Sequence, residues 1–188
     1  MPHGERAAVL IDGNYMRRYL HKHGLEMWDI DFQIFSNALC GDCLRFRTYY
    51  YDARPEEAAK NPNYEKEDKF QDSLEELDRF IVRLGRLTKT KYGEPPHQKG
   101  VDILLAIDLT ELSAMGAVDR IILVTNDSDF KPAIVKAKEN LTIVTFAYFE
   151  EPGVSLTLRK ICDEEFMITE KMVMDAKNPS VYLPEPPE

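Results

Sequence analysis

Long apolar runs are missing from this chain. Nowhere does it approach the roughly 20 consecutive apolar residues that a membrane-spanning helix requires, so no membrane partner is expected. Cysteine is scarce, with three in 188 residues: Cys40, Cys43 and Cys162. The chain opens MPHGERAAVLIDG, without a basic leader and long apolar stretch, which predicts no signal peptide. The odd cysteine count and the missing signal together predict reduced thiols and a cytoplasmic protein. Cys40 and Cys43 form a C-x-x-C, but a zinc site needs two further ligands at suitable spacing. Redox use of the same pair has no partner motif, so the thiols read as structural.

The usual glycine cradle for phosphates is also absent. No G-x-G-x-x-G or G-x-x-x-x-G-K-[ST] follows any apolar run. Positive charge is in deficit, with Lys+Arg 24 against Asp+Glu 33 and a net charge of −9. An acidic chain is a poor sequence-blind binder of nucleic acid, because phosphate attraction follows local Lys and Arg. Two features temper that exclusion. Acids gathered at a metal site would be neutralised by divalent cations. Basic residues are also locally grouped: Arg17, Arg18, His21 and Lys22; then Arg83, Arg86, Lys89 and Lys91; then Lys136 and Lys138.

What is present is an alternation of strand-like and helix-like segments. Residues 7–11 (AAVLI), 44–51 (LRFRTYYY), 120–125 (RIILVT) and 141–148 (LTIVTFAY) read as strands, and 88–92 as a short one. Helical patterns are expected over 15–23, from a cap at Asp29 or Asp31 through Leu39, and over 70–84, 101–115 and 131–140. Residues 155–162 fit a short helix and 164–169 a last strand or turn. The polar stretch 52–68 reads as a loop. One domain is expected over 1–170, with a proline-rich tail over 171–188. Alternating strands and helices predict an α/β fold with a mostly parallel central sheet covered on both faces. In such folds ligands bind beyond the carboxyl ends of the strands.

That rule gives the aspartates their interest. Asp12 ends the first strand, and Asp127 and Asp129 follow the RIILVT strand. Asp102 opens a helix, and Asp108 lies about one and a half turns further on. Taken singly, each acid is a cap, a turn former or a solvated residue. Taken together, carboxylates at the ends of separate strands repel unless a cation sits among them. An oxygen-only ligand set suits magnesium or manganese. Such ions serve phosphodiester hydrolysis. No Ser-His or Cys-His pairing suggests covalent catalysis instead.

The segments VLIDGNYM (9–16), KGVDILLAIDL (99–109) and ILVTNDSDFKPAI (122–134) occur in an order that resembles a NYN domain. The resemblance spans about residues 6–150 and is to the LabA-like branch of the PIN-like and FEN-like nucleases. It implies a Rossmann-like, PIN-like three-layer sandwich and a metal-dependent ribonuclease using Mg2+ or Mn2+, with single-stranded RNA as the favoured partner and DNA still open as a substrate. Carried over by position, Asp12, Asp102, Asp127 and Asp129 are the metal-binding acids, Asn14 places the scissile phosphate or a water, and Asp108 is a further ligand or supports one. Lys99, Asn126 and Arg17 are weaker candidates for substrate contact. Two other classes remain beside this one: a non-catalytic nucleotide- or phosphate-binding module, and a homo-oligomeric interaction domain using the aromatic strand or the stripe Leu74, Leu77, Ile81 and Leu84. The four tyrosines Tyr15, Tyr49, Tyr50 and Tyr51 fit core packing better than base stacking.

Overall fold

A computed structural model describes residues 4–54, 64–88 and 97–178 of the chain. Their element order is β1 (Arg6–Asp12), α1 (Gly13–Lys22), α2 (Phe32–Cys40), β2 (Leu44–Arg54), α3 (Tyr64–Glu75), β3 (Phe80–Thr88), β4 (His97–Lys99), α4 (Val101–Ala114), β5 (Arg120–Val124), α5 (Lys131–Glu139), β6 (Ile143–Phe149), α6 (Leu156–Ile161), β7 (Glu164–Ile168) and α7 (Glu170–Asp175). The strands form one seven-stranded sheet in the order β4-β3-β2-β1-β5-β6-β7. Only the β3–β4 pairing is antiparallel. This is a Rossmann-like, PIN-like three-layer sandwich.

The strand interior is apolar on both faces, as a sheet covered by helices on each side requires. Along β1, Ala7, Val9 and Ile11 face one core with Met16, Leu20, Phe32, Phe35, Phe70 and Leu74. Ala8 and Leu10 face the other with Leu105, Leu109, Ile134 and Leu158. α1, α2, α3 and α7 therefore cover one face, and α4, α5 and α6 cover the other. The tyrosines belong to these layers: Tyr15, Tyr49, Tyr50 and Tyr51 are all buried. All three cysteines are free thiols, and burial raises those of Cys40 and Cys162 to about 11 and about 12.

The chain winds outward from β1 through β2 to β3 and β4, then crosses to β5 on the other side of β1. The direction of winding thus reverses between β1 and β5. A crevice opens where neighbouring connections leave to opposite faces. The carboxyl ends of β1 and β5 carry Asp12 and, three residues beyond β5, Asp127.

One expected element divides in two. The helical spacing of Leu74, Leu77, Ile81 and Leu84 does not describe one stripe. α3 ends at Glu75, a turn follows in which Leu77 N–H meets Leu74 O at 3.3 Å, and Arg79 adopts φ +60. β3 then begins at Phe80, pairing with β2. Leu77, in the turn before the strand, packs on the α3 face of the sheet. Within β3, Phe80 and Val82 face that same side and Ile81 the α4 side, as the two-residue period of a strand demands. The expected strand over 88–92 is met only at Thr88, since 89–92 lie outside the described residues. The 52–68 stretch is shortened from both sides, because β2 runs to Arg54 and α3 starts at Tyr64; 55–63 also lie outside. At the other end, α7 covers Glu170–Asp175, Val173 is buried, and Asp31 N–H bonds Ala176 O at 2.7 Å. Residues 179–188 lie outside the described residues.

Candidate metal centre and its surroundings

Asp12 is the pivot of the crevice. It stands in extended backbone as the N-cap of α1, with Oδ1 accepting from Tyr15 N–H at 3.1 Å. Its Oδ2 accepts from the hydroxyl of Thr125, the residue just after β5, at 2.9 Å. One side chain thus ties the ends of the central strands while remaining 9% exposed. The next residue must be glycine, because a Cβ on Gly13 would lie 2.7 Å from both Tyr50 Oη and the Tyr51 carbonyl.

Asp127 caps the short 3-10 turn Ser128–Phe130 by accepting from Asp129 N–H at 2.9 Å. Asp102 sits in the first turn of α4, behind Gly100 at φ +84. Gly85 on β3 lets that junction come close, since a Cβ there would stand 2.6 Å from Lys99 O and Val101 Cγ2. A cavity of about 400 Å3 is enclosed by Asp12, Asp102 and Asp127 together with Asn14, Arg18, Leu87 and Gln98. A larger groove of about 770 Å3 between Trp28, Phe32, Phe70 and Leu74 contains none of the motif residues.

The acids sense one another. Burial raises the Asp12 carboxyl above its ordinary value, and the charge of Asp102 adds to the rise. Asp102 is raised by desolvation and then by the charges of Asp127 and Asp129. Folding therefore holds these groups together against their own repulsion, an arrangement a cation relieves.

Four expected residues stand elsewhere. Asp108 does not reach the cavity: it is buried, accepts from Tyr51 Oη at 2.9 Å and pairs with Arg83 at 3.0 Å. Six residues after Asp102 on the same helix, it points roughly 120° away from it around the axis. Arg17 is committed to Asp52 and, at 2.9 Å, to Glu67. Asn126 splices the end of β5 to the start of α6, donating to Gly153 O at 3.1 Å and accepting from Ser155 N–H at 2.7 Å. Lys99 is exposed and lies next to Gln98 on β4, so strand alternation turns it from the cavity. Asp129 is exposed beside the cavity and acts on Asp102 through its charge.

Arg18, Leu87 and Gln98 were not singled out from the sequence as site residues. Arg18 follows Asn14 by four residues and so shares its face of α1, a spacing that was legible. Leu87 and Gln98 are cross-strand partners in the antiparallel β3–β4 pair and present one face to the cavity.

Among the described residues no group of three or more His, Cys, Asp or Glu lies close enough to enclose a metal ion by itself. The donor set still suits Mg2+ or Mn2+. These ions accept oxygen ligands only, and Mg2+ keeps several waters while using one or two carboxylates and substrate phosphates. Acids spaced around a water-accessible cavity match that habit better than they match zinc.

The NYN domain profile matches residues 6–170. The chain belongs to the NYN family. An uncharacterized protein of Methanocaldococcus jannaschii is 36% identical across 57% of this chain and 50% of its own length, so this NYN chain spans about half of that relative. A crystal structure of a protein of unknown function from Vibrio parahaemolyticus superposes with a TM-score of 0.66 at 21% identity, covering 90% of this chain and 96% of the other, which establishes the shared fold. NYN domains are nuclease-like, RNA-processing folds that are usually ribonucleases, and nucleases of this type generally use divalent metals. No helix of this NYN domain is long and apolar enough to cross a membrane among the described residues.

Proposed function

We propose that the chain is a metal-dependent endoribonuclease whose centre is the cavity between β1 and β5. The observation that carries the reading is the meeting of Asp12, Asp102 and Asp127 around one cavity at the point where the winding of the sheet reverses. Their mutual repulsion and oxygen-only chemistry favour Mg2+ or Mn2+ as the resident ion. When bound, the ion supplies Lewis acidity at the phosphate and a water of lowered pKa.

The protein's own side chains define the rest. Asp12, Asp102 and Asp127 would hold the ion, and Asp129 would add negative potential beside it. Arg18, with no ion-pair partner among the described residues, offers a guanidinium to non-bridging phosphate oxygens. Asn14 lies on the same face and supplies an amide donor to the scissile group. Leu87 adds one apolar side chain to the cavity wall.

Purified protein incubated with labelled single-stranded RNA tests the reading. Cleavage is expected with manganese and with magnesium, and is expected to stop with chelator. Cutting that persists undiminished in chelator contradicts it, and so does the absence of any cutting with either metal.

A further inference from the structure

Behind the cavity lies a hydrogen-bonded network that metal chemistry does not use. Asp52, near the end of β2, is 1% exposed. Its Oδ2 accepts from Tyr50 Oη at 2.7 Å and from Arg17. Its Oδ1 accepts from Ala53 N–H at 2.8 Å and from Gln98 Nε2 at 3.0 Å. Paired with the Arg17 guanidinium, the Asp52 carboxylate has only acceptors to offer. The Gln98 carboxamide must therefore turn its NH2 end toward Asp52. That fixes its carbonyl Oε1 on the opposite side, and no donor meets that oxygen among the described residues.

Gln98 lines the acid cavity directly beside its cross-strand partner Leu87. One apolar side chain, Leu87, with an oriented acceptor beside it suits a sugar ring carrying a hydroxyl. We infer that Gln98, oriented by Asp52, accepts a hydrogen bond from a ribose 2′-hydroxyl of the bound strand and thereby selects RNA over DNA. The inference rests on the proposed reading of the cavity in one respect, that a nucleic-acid strand lies in it.

The chemistry of selection is simple. The 2′-hydroxyl is the group that distinguishes RNA from DNA at a contact. A deoxyribose would leave Gln98 Oε1 desolvated and unpaired, and an unmade bond costs more than a made one gains. Asp52 acts here as a positioning residue. It touches no substrate, but without it the carboxamide is free to rotate and present NH2 in place of C=O. Leu87 contributes packing to either kind of sugar and does not discriminate.

The test compares three single strands of one sequence: RNA, DNA, and RNA with 2′-fluoro in place of every 2′-hydroxyl. Fluorine keeps an RNA-like sugar conformation but cannot donate a hydrogen bond. Each strand is assayed with native protein, Gln98→Leu and Leu87→Ala, both for cleavage with manganese and for equilibrium binding in chelator. Native protein should favour RNA over both other strands by roughly tenfold, about the value of one hydrogen bond. In Gln98→Leu the RNA-to-DNA and RNA-to-fluoro ratios should fall to near one. Leu87→Ala should weaken all strands while keeping the ratios.

Circular dichroism and a thermal melt establish that each variant is folded before it is compared. Ratios that Gln98→Leu leaves unchanged overturn the inference, as does a native protein that treats the three strands alike in both assays. If nothing is cut but binding keeps a preference for RNA that depends on Gln98, the inference stands and the nuclease reading falls. If RNA is cut with a ratio that is independent of Gln98, the outcome is reversed.

Discussion

Asp12→Asn should abolish metal-dependent cleavage while leaving the metal-free protein at least as stable as the native one. The loss in rate is expected to reach a hundredfold or more, corresponding to about 3 kcal/mol of transition-state stabilisation. The stability follows from the environment of the native carboxyl. Burial raises Asp12 above its unfolded value, with Asp102 adding to the effect. For an acid the raised value means that ionisation costs folding free energy. The cost is absent below the unfolded value, grows as pH rises toward the folded value, and is present at neutral pH. Asparagine removes that cost. It can still cap α1 toward Tyr15 N–H, and its amide nitrogen can donate to the Thr125 hydroxyl. Melting temperatures in chelator at neutral pH and near pH 4 check this. The variant's advantage should shrink toward acid. A variant that is much less stable than native at neutral pH would mean that the carboxylate is structural and its charge well tolerated.

Asp52→Ala should do the opposite, undermining the fold first and activity as a consequence. The substitution leaves Tyr50 Oη buried without its acceptor and strips Arg17 of one of its two partners. Breaking a buried, hydrogen-bonded ion pair by removing one partner costs about 3 kcal/mol or more. The retained Arg17–Glu67 pair at 2.9 Å offsets part of this. Urea denaturation should show the loss as a lower midpoint with an unchanged slope. A loss under about 1 kcal/mol would show that the network contributes little, in line with ordinary surface pairs. Because Tyr50 Oη also sits where Gly13 comes closest to β2, the damage should reach α1 and with it Asn14 and Arg18.

Much of the fold was legible because burial writes itself into sequence most plainly where both faces are covered. The runs AAVLI and RIILVT became the central strands β1 and β5. Residues at the ends of those strands share a rim by topology alone, which is why Asp12 and Asp127 could be placed together without coordinates. Boundaries between elements were less legible. A helix and a strand that meet within a few residues can mimic one helical stripe when their apolar residues serve different faces. Leu77 and Ile81 did so.

Side-chain commitments were the least legible. Asp108 and Arg17 each carry the right charge in the right neighbourhood, yet each is held by a partner distant in sequence, Arg83 and Asp52. Asp108 did carry a warning, since six residues along a helix from Asp102 lead to a different face. Gln98 gave no warning, because β4 is only three residues long and its role depends on pairing with β3.

The proposed nuclease activity depends on a divalent ion shared by Asp12, Asp102 and Asp127. Calorimetric titration of manganese into native protein and into the Asp12→Asn/Asp127→Asn variant at neutral pH tests that dependence most directly. Saturable binding by native protein, lost in the variant and weakened toward acid as the raised carboxyls of Asp12 and Asp102 take up protons, is the predicted result. Equal binding by both proteins, or none by either, would contradict it.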